Sequence, residues 1–219
     1  MEVNKDRFYR IKWFWNILKN GLFLFGVRNR LATLGFDFNP FYWVLEGVSD
    51  CVPPKIKGDL SDYEVVKLNL KEIETIKKKF VGPDPITGIM NFHDQLQHIG
   101  LKHKGEIVAF VFIELYDFDF KKKVFHLKEN EAYLFNQYTF EAHRGKNLAP
   151  YLRYQSYLML QDMGRNRIYS ITQYFNRSSK RFKKKLNAKN LQLFMYIILF
   201  KKYHYHFLIK NMSPGIPEK

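Results

Sequence analysis

Arg144-Gly145-Lys146-Asn147-Leu148-Ala149 is the stretch on which the fold turns. Ahead of it, Ala132–Phe140 has the apolar texture of a strand. Behind it, Leu148, Leu152, Gln155 or Ser156, Met159 and Met163 recur at helical spacing, which predicts a helix over Asn147–Met163 stopped by Gly164. A helix N-terminus presents unpaired amide N–H groups and the positive end of a dipole, so a turn of this kind can hold a pyrophosphate. Gly145 allows an unusual torsion and a close ligand approach. Arg144 and Lys146 add positive charge, Asn147 can cap the helix, and Pro150 falls in the first turn, where a missing N–H costs little. The same strand–turn–helix pattern also serves purely structural ends.

Outward from this segment the chain reads as mixed α/β. Upstream, Tyr63–Leu68 has strand character, Leu70–Phe80 is helical with a basic end, and Gly82-Pro83-Asp84-Pro85 is a loop before a second helical stretch to about Leu96. Strands near Ile99–Lys102 and Glu106–Leu115 meet through Lys104-Gly105 as a hairpin. The charged residues 117–130 read as an extended excursion. Downstream come a short strand at Arg167–Thr172, a basic helix at Ser178–Leu186, and strands at Leu191–Leu199 and Tyr203–Ile209. Hairpins come first and strand–helix–strand units later.

The first 61 residues differ in texture. Residues 8–27 mix aromatic, aliphatic and basic side chains, with Phe8, Ile11, Trp15 and Leu18 on one helical stripe. Such a helix packs on its own core or on a partner subunit, or lies in a membrane interface. Residues 35–61 carry Pro40, Gly47, Pro53, Pro54 and Gly58, which reads as an irregular connector.

Composition narrows the class. Of 219 residues, 46% are hydrophobic and 17% aromatic, ample for a packed core. The net charge of +15 favours a polyanionic partner: a phosphate-rich cofactor, an acidic carrier protein, an anionic membrane face or nucleic acid. Cys51 is the only cysteine, so no disulfide framework or cysteine metal cluster forms within one chain, as suits a reducing cytoplasm. The opening residues make a poor secretory signal, and no apolar stretch has transmembrane length.

Residues Tyr138–Ala149, ending in Arg144-Gly145-Lys146-Asn147-Leu148-Ala149, resemble the fourth strand and acyl-CoA pyrophosphate loop of the GNAT N-acetyltransferase superfamily, whose pattern is Gln/Arg-x-x-Gly-x-Gly/Ala. Asn176-x-x-Ser179-x-x-Phe182, followed by Lys185-Leu186-Asn187-Ala188, resembles its second motif. The two partial motifs stand in the right order, one helix and one strand apart, and the resemblance runs from about Tyr63 to Ile209. It implies a GNAT-like acyltransferase domain over 62–210, with an N-terminal extension and connector (1–61) and a tail (211–219).

The resemblance further implies acetyl-CoA or another acyl-CoA as co-substrate, with no metal. The pantetheine arm would lie along Tyr138, Thr139 and Phe140 between two splayed strands, and the pyrophosphate on the amides of Arg144 to Ala149. Asn176, Ser179 and Phe182 would complete the cofactor site. An amine acceptor would attack the thioester directly, its carbonyl polarised by a backbone N–H near Thr139. Three positions depart from the pattern. Asn147 replaces a glycine, Phe182 stands where a tyrosine often donates a proton to the thiolate, and Asn136 stands where a carboxylate often lies. Ser179, Glu114 and Glu141 are the remaining proton-transfer candidates.

Two rival readings accompany this one: an aminoacyl-tRNA-dependent peptidyltransferase of related fold, and a non-catalytic acyl-CoA sensor. The run Arg177, Lys180, Arg181, Lys183, Lys184, Lys185 is a solvated helix face, a site for the adenosine 3′-phosphate, or a nucleic-acid contact, the last least favoured. His204 and His206 share a strand face but lack a third metal ligand, and His93, Asp94, His98 and His103 are not expected to converge. The expected partners are an amine-bearing acceptor, with an acidic acyl carrier protein, an anionic membrane surface or a second copy of the chain besides. The expected location is cytoplasmic, peripheral to the inner membrane face.

Overall fold

The structure, a computed structural model, describes residues 23–47, 51–79 and 97–212. The expectations for residues 8–22, for the loop at 82–85 and the helix to residue 96, for His93 and Asp94, and for the end of the tail lie outside these residues. Helix α1 (Phe23–Thr33) leads into β1 (Phe36–Glu46), and β2 (Tyr63–Lys67) into α2 (Leu70–Lys79). Strands β3 (Gln97–His103) and β4 (Glu106–Glu114) precede a short pair, β5 (Phe118–Phe120) and β6 (Lys123–Phe125). There follow β7 (Glu131–Thr139), α3 (Leu148–Asp162), β8 (Arg167–Gln173), α4 (Arg177–Lys185), β9 (Lys189–Leu199) and β10 (Tyr203–Asn211). One eight-stranded sheet runs in the order β10-β9-β1-β8-β7-β4-β3-β2. Every neighbouring pair is antiparallel except β7 and β8, the parallel pair joined across α3.

Local chemistry accounts for these elements. Lys104 and Gly105 both take positive φ, 50° and 82°, and close the β3–β4 hairpin. Asn69 and Glu72 cap each other at the start of α2: Glu72 N donates to Asn69 Oδ1 at 3.0 Å and Asn69 N to Glu72 Oε2 at 2.9 Å. Helix α3 ends at Gly164, whose φ of 78° lets Arg165 N reach back to Leu160 O at 2.8 Å.

Successive residues of β4 point to opposite faces and divide the core. Val111 and Ile113 join Leu134 and Ile168 under Leu148, Leu152, Tyr157 and Leu160 of α3. Phe110 and Phe112 pack on the other face with Ile73 and Ile76 of α2.

Three expectations need correction. Residues 36–46 are not part of a connector: β1 lies inside the sheet, between β8 and β9. A proline within a strand normally signals an edge, because it lacks the ladder N–H. Here the C=O of Pro40 accepts from Tyr174 N at 2.9 Å, just past the last β8 residue, Gln173. The N–H that Pro40 lacks would point the same way, at the terminal rung of the β1–β8 ladder, so one end bond is forgone and the pairing with β9 is untouched.

Residues 117–130, secondly, do not leave the body. Of the β5–β6 hairpin, Phe118 stacks on Tyr133 (3.9 Å between centroids) and Phe125 on Trp43 (4.9 Å), while Phe120 meets Phe41 edge-on (5.2 Å). Thirdly, the buried side of α3 is rotated from the expected stripe. It runs through Leu148, Leu152, Ser156 and Leu160 with Arg153 and Tyr157, while Met163 is exposed. Three of these carry polar groups that are satisfied inside: Ser156 Oγ donates to Leu152 O at 2.8 Å, and Arg153 and Tyr157 have a partner described next.

Candidate active site

Strands β7 and β8 pair only over Glu131–Tyr133 and Arg167–Tyr169, then part. The cause of the divergence lies in β7. Against β4, the register passes from Phe110↔Tyr138 to Phe112↔Phe135, so β7 carries one extra residue. Asn136 sits at this bulge with φ 45°, a torsion that asparagine tolerates better than most residues. The bulge bends β7 away from β8 and opens two adjoining cavities, which share Gln137, Tyr138, Asn176, Ser179 and Phe182.

The larger cavity, about 670 Å³, lies against the loop that enters α3. Gly145 and Asn147 both take positive φ there, 83° and 65°. Asn147 does not cap the helix with its side chain. Instead its Nδ2 donates to Lys55 O at 2.7 Å and its Oδ1 accepts from Lys185 Nζ at 3.1 Å. Lys57 N donates to Lys146 O at 3.0 Å, so residues 55–57 and α4 brace the loop from two sides. The amides of Gly145, Asn147, Leu148 and Ala149 donate to no protein acceptor among the described residues.

Lys57, Arg144 and Lys185 line this cavity, and among the described residues no Asp or Glu does. Arg144 is pinned by Thr139 O (3.1 Å), Glu141 Oε1 (3.0 Å) and Tyr138 Oη (3.0 Å). Thr139 Oγ1 and His143 Nδ1 are buried here without a hydrogen-bond partner. Burial lowers the His143 pKa, with Lys146 and His103 adding to the effect, so its ring is mainly neutral at neutral pH.

The second cavity, about 340 Å³, has aromatic walls that include Phe110, Tyr133 and Phe135, and a floor of Arg153 and Lys183. Again no acidic residue lines it. Behind the floor Glu46, the last residue of β1, is fully buried. Arg153 grips it with Nε at 2.7 Å and Nη2 at 2.8 Å, and Lys183 Nζ lies 3.1 Å from Oε1. The hydroxyls of Tyr157 and Ser170 also donate to this carboxylate. Lys183 in turn donates to Ser170 Oγ at 2.6 Å and to Thr172 Oγ1.

Burial pushes the Glu46 pKa up, but Arg153 and Lys183 outweigh it and hold the carboxyl below its ordinary range. Burial lowers Lys183 to about 8 against the pull of Glu46. At the mouth, Gln137 commits Nε2 to Ala149 O, while its buried Oε1 has no partner among the described residues.

Tyr138, Thr139, Arg144, Gly145, Asn147, Leu148, Ala149, Asn176, Ser179 and Phe182 all line the larger cavity. Two other expected cofactor residues do not. Phe140 packs toward Phe110 at 6.2 Å, and Lys146 gives the loop its backbone carbonyl. Asn176 caps α4, its Oδ1 accepting from Ser179 N at 3.0 Å. Glu114 and Glu141 line neither cavity, and Glu141 pairs with Arg144. Asn136, read as a missing carboxylate, lines the second cavity and supplies the bulge.

The sequence reading gives Glu46, Arg153 and Gln137 no role, and takes Lys183 only as part of a solvated or phosphate-binding basic run, whereas it is buried. A signal existed for three of them. Glu46 and Arg153 are lone charges in apolar segments, and Lys183 falls at helical spacing with Ser179, Phe182 and Leu186 on the inward side of a basic helix. Among the described residues no cluster of three potential metal ligands occurs. His204 and His206 are engaged with Tyr196 Oη (2.5 Å) and Lys121 O (2.8 Å). No described helix is long and apolar enough to cross a membrane.

A bulged strand parting from its parallel neighbour over an amide-lined helix start defines the GCN5-related N-acetyltransferase, or GNAT, class of fold. Solved structures agree. A GCN5-related N-acetyltransferase from Kribbella flavida superposes with a TM-score of 0.52 at 10% identity, over 77% of this chain and 62% of that one. A GNAT-family protein from Novosphingobium aromaticivorans gives 0.51 at 15% identity, over 75% and 66%. A GCN5-related N-acetyltransferase from Sphaerobacter thermophilus gives 0.50 at 12% identity, over 86% and 56%. The chain thus spans less than two thirds of the length of each. No protein-family model matches the sequence, and no curated protein is detectably similar to it.

Proposed function

We propose that the protein is an N-acyltransferase that moves an acyl group from acyl-coenzyme A to an amine. The observation that carries this reading is the larger cavity. Unpaired amides and three cations with no facing acid suit a pyrophosphate, and the cavity continues past Gln137 into a second chamber. The pantetheine arm would pass along β7 at Tyr138 and Thr139, and the acceptor would enter the aromatic chamber.

In the reaction the amine nitrogen attacks the thioester carbon, the C–S bond breaks, and coenzyme A leaves as thiolate. Proximity supplies much of the acceleration. Gln137 Oε1, an acceptor only, would orient an N–H of the incoming group. The amine must lose a proton; Lys183, at about 8, is mostly an ammonium at neutral pH, and its neutral fraction, which grows as pH rises, would take that proton beside the chamber. The Ser179 hydroxyl, in both cavities, would donate to the leaving thiolate the hydrogen bond that Phe182 cannot, with the proton itself coming from solvent.

The absence of a carboxylate from both linings favours one alternative, a domain that binds acyl-CoA without transfer. Calorimetry with coenzyme A tests the common part: binding at micromolar scale, about 8 kcal/mol, is expected. No heat at millimolar ligand would refute it. Gly145→Val should abolish binding while the fold survives, because an added Cβ meets nothing within 4 Å and only the torsion is strained. Acetyl transfer to a panel of amines then separates enzyme from sensor.

A further inference from the structure

At the β10 edge the sheet presents a face that no described residue covers. Strands β9 and β10 turn through Phe200 and Lys201, both at positive φ, 53° and 59°. Turns of this hand favour Asn-Gly, since a bulky L-residue is sterically strained there. Yet Phe200 stands at the tip, its ring edge-on to Phe36 at 5.1 Å and still 66% exposed, while Leu34, 72% exposed, directly precedes the Gly35 whose carbonyl accepts from Lys201 N. Strain is retained at a tip where most of an aromatic ring stays uncovered.

The apolar surface continues from the tip. Tyr203, Tyr205 and Phe207 alternate along one face of β10, and all three are exposed. Phe38 of β1 pairs with Ile197 of β9, which pairs with Tyr205, so the face extends inward across three strands. The rim is wholly basic: Lys201, Lys202 and Lys210 are exposed, and residues 189–212 contain no Asp or Glu. Residues 7–36 likewise contain no acid and include Arg7, Arg10, Lys12 and Lys19 among their aromatics.

We propose that this face docks on an anionic lipid bilayer. Phe200 and Leu34 would enter the headgroup region, with the tyrosines at the boundary and the lysines against lipid phosphate. A second copy of the chain fits less well, because it would set lysine against lysine. The proposal is independent of the acyltransfer reading.

Co-sedimentation of the full chain with vesicles is the test. Binding to phosphatidylglycerol-containing vesicles is expected, at least tenfold weaker on pure phosphatidylcholine and weakened by salt. The pair F200S/F207S should cut binding at least fivefold with coenzyme A affinity unchanged. F200N, which eases the turn but gives up the ring contact with Phe36, should leave the melting temperature little changed while weakening binding, so misfolding cannot explain the loss. Failure to sediment with anionic vesicles, equal binding to neutral ones, or unchanged binding of both variants would overturn the proposal. So would a concentration-dependent dimer, in light scattering, that F200S/F207S abolishes.

Discussion

Glu46 is the residue on which most depends and which least resembles an active-site group. Among the described residues its carboxylate is the only acid in contact with both Arg153 and Lys183. Glu46→Gln therefore strands two buried cations, and urea unfolding should record a loss of about 3–5 kcal/mol. The pH dependence has two limbs. The folded-state pKa of Glu46 lies below the ordinary 4.5, so its contribution is present above that pH and is lost as pH falls. Lys183 titrates near 8 when folded against 10.5 unfolded. Between those values the unfolded chain binds more protons, so this lysine makes stability rise with pH across that window. Lys183→Met should flatten the alkaline limb and leave the acid limb in place. In the sequence Lys183 was hidden by its neighbours: five further basic residues make its helix look like a solvated face, and only the position of Phe182 and Leu186 marks it as turned inward.

Among the elements, the bulge in β7 sets the geometry of the site. Asn136→Gly should fold as well as the parent, since glycine takes positive φ at no steric cost. Asn136→Val should lose about 1–2 kcal/mol through the left-handed torsion. It should also weaken coenzyme A, because a straightened β7 closes toward β8. Thermal unfolding beside calorimetry reads both effects. The sequence displayed the elements whose signals are local, as with the Lys104-Gly105 hairpin, the spacing of α3 and its Gly164 stop. It concealed β1, because Pro40 and the glycines and prolines after it are turn signals, and their innocence depends on where a distant strand ends. The bulge was concealed likewise. Asn136 could be compared with a catalytic carboxylate, but its torsion is set by the register between β7 and β4.

For the molecule as a whole, the +15 charge is not spread evenly over function. Lys57, Arg144 and Lys185 gather at the larger cavity, and a second basic group rims the β10 face. Coenzyme A affinity should therefore fall several-fold between low salt and about 0.3 M, as charge screening shortens to a few ångströms. Titrations at two salt concentrations check this.

The place of β1 in the sheet also fixes an order of events in the cell. Phe41 pairs with Gln173 on one side and Phe194 on the other, partners that lie well over a hundred residues later in the chain. At ordinary elongation rates the ribosome needs on the order of ten seconds to deliver them after β1 has emerged. For that interval a strongly aromatic strand has both edges open, and the halves of the sheet cannot be joined. Production of this chain should thus be unusually sensitive to ribosome stalling and to the supply of chaperones that shield nascent strands.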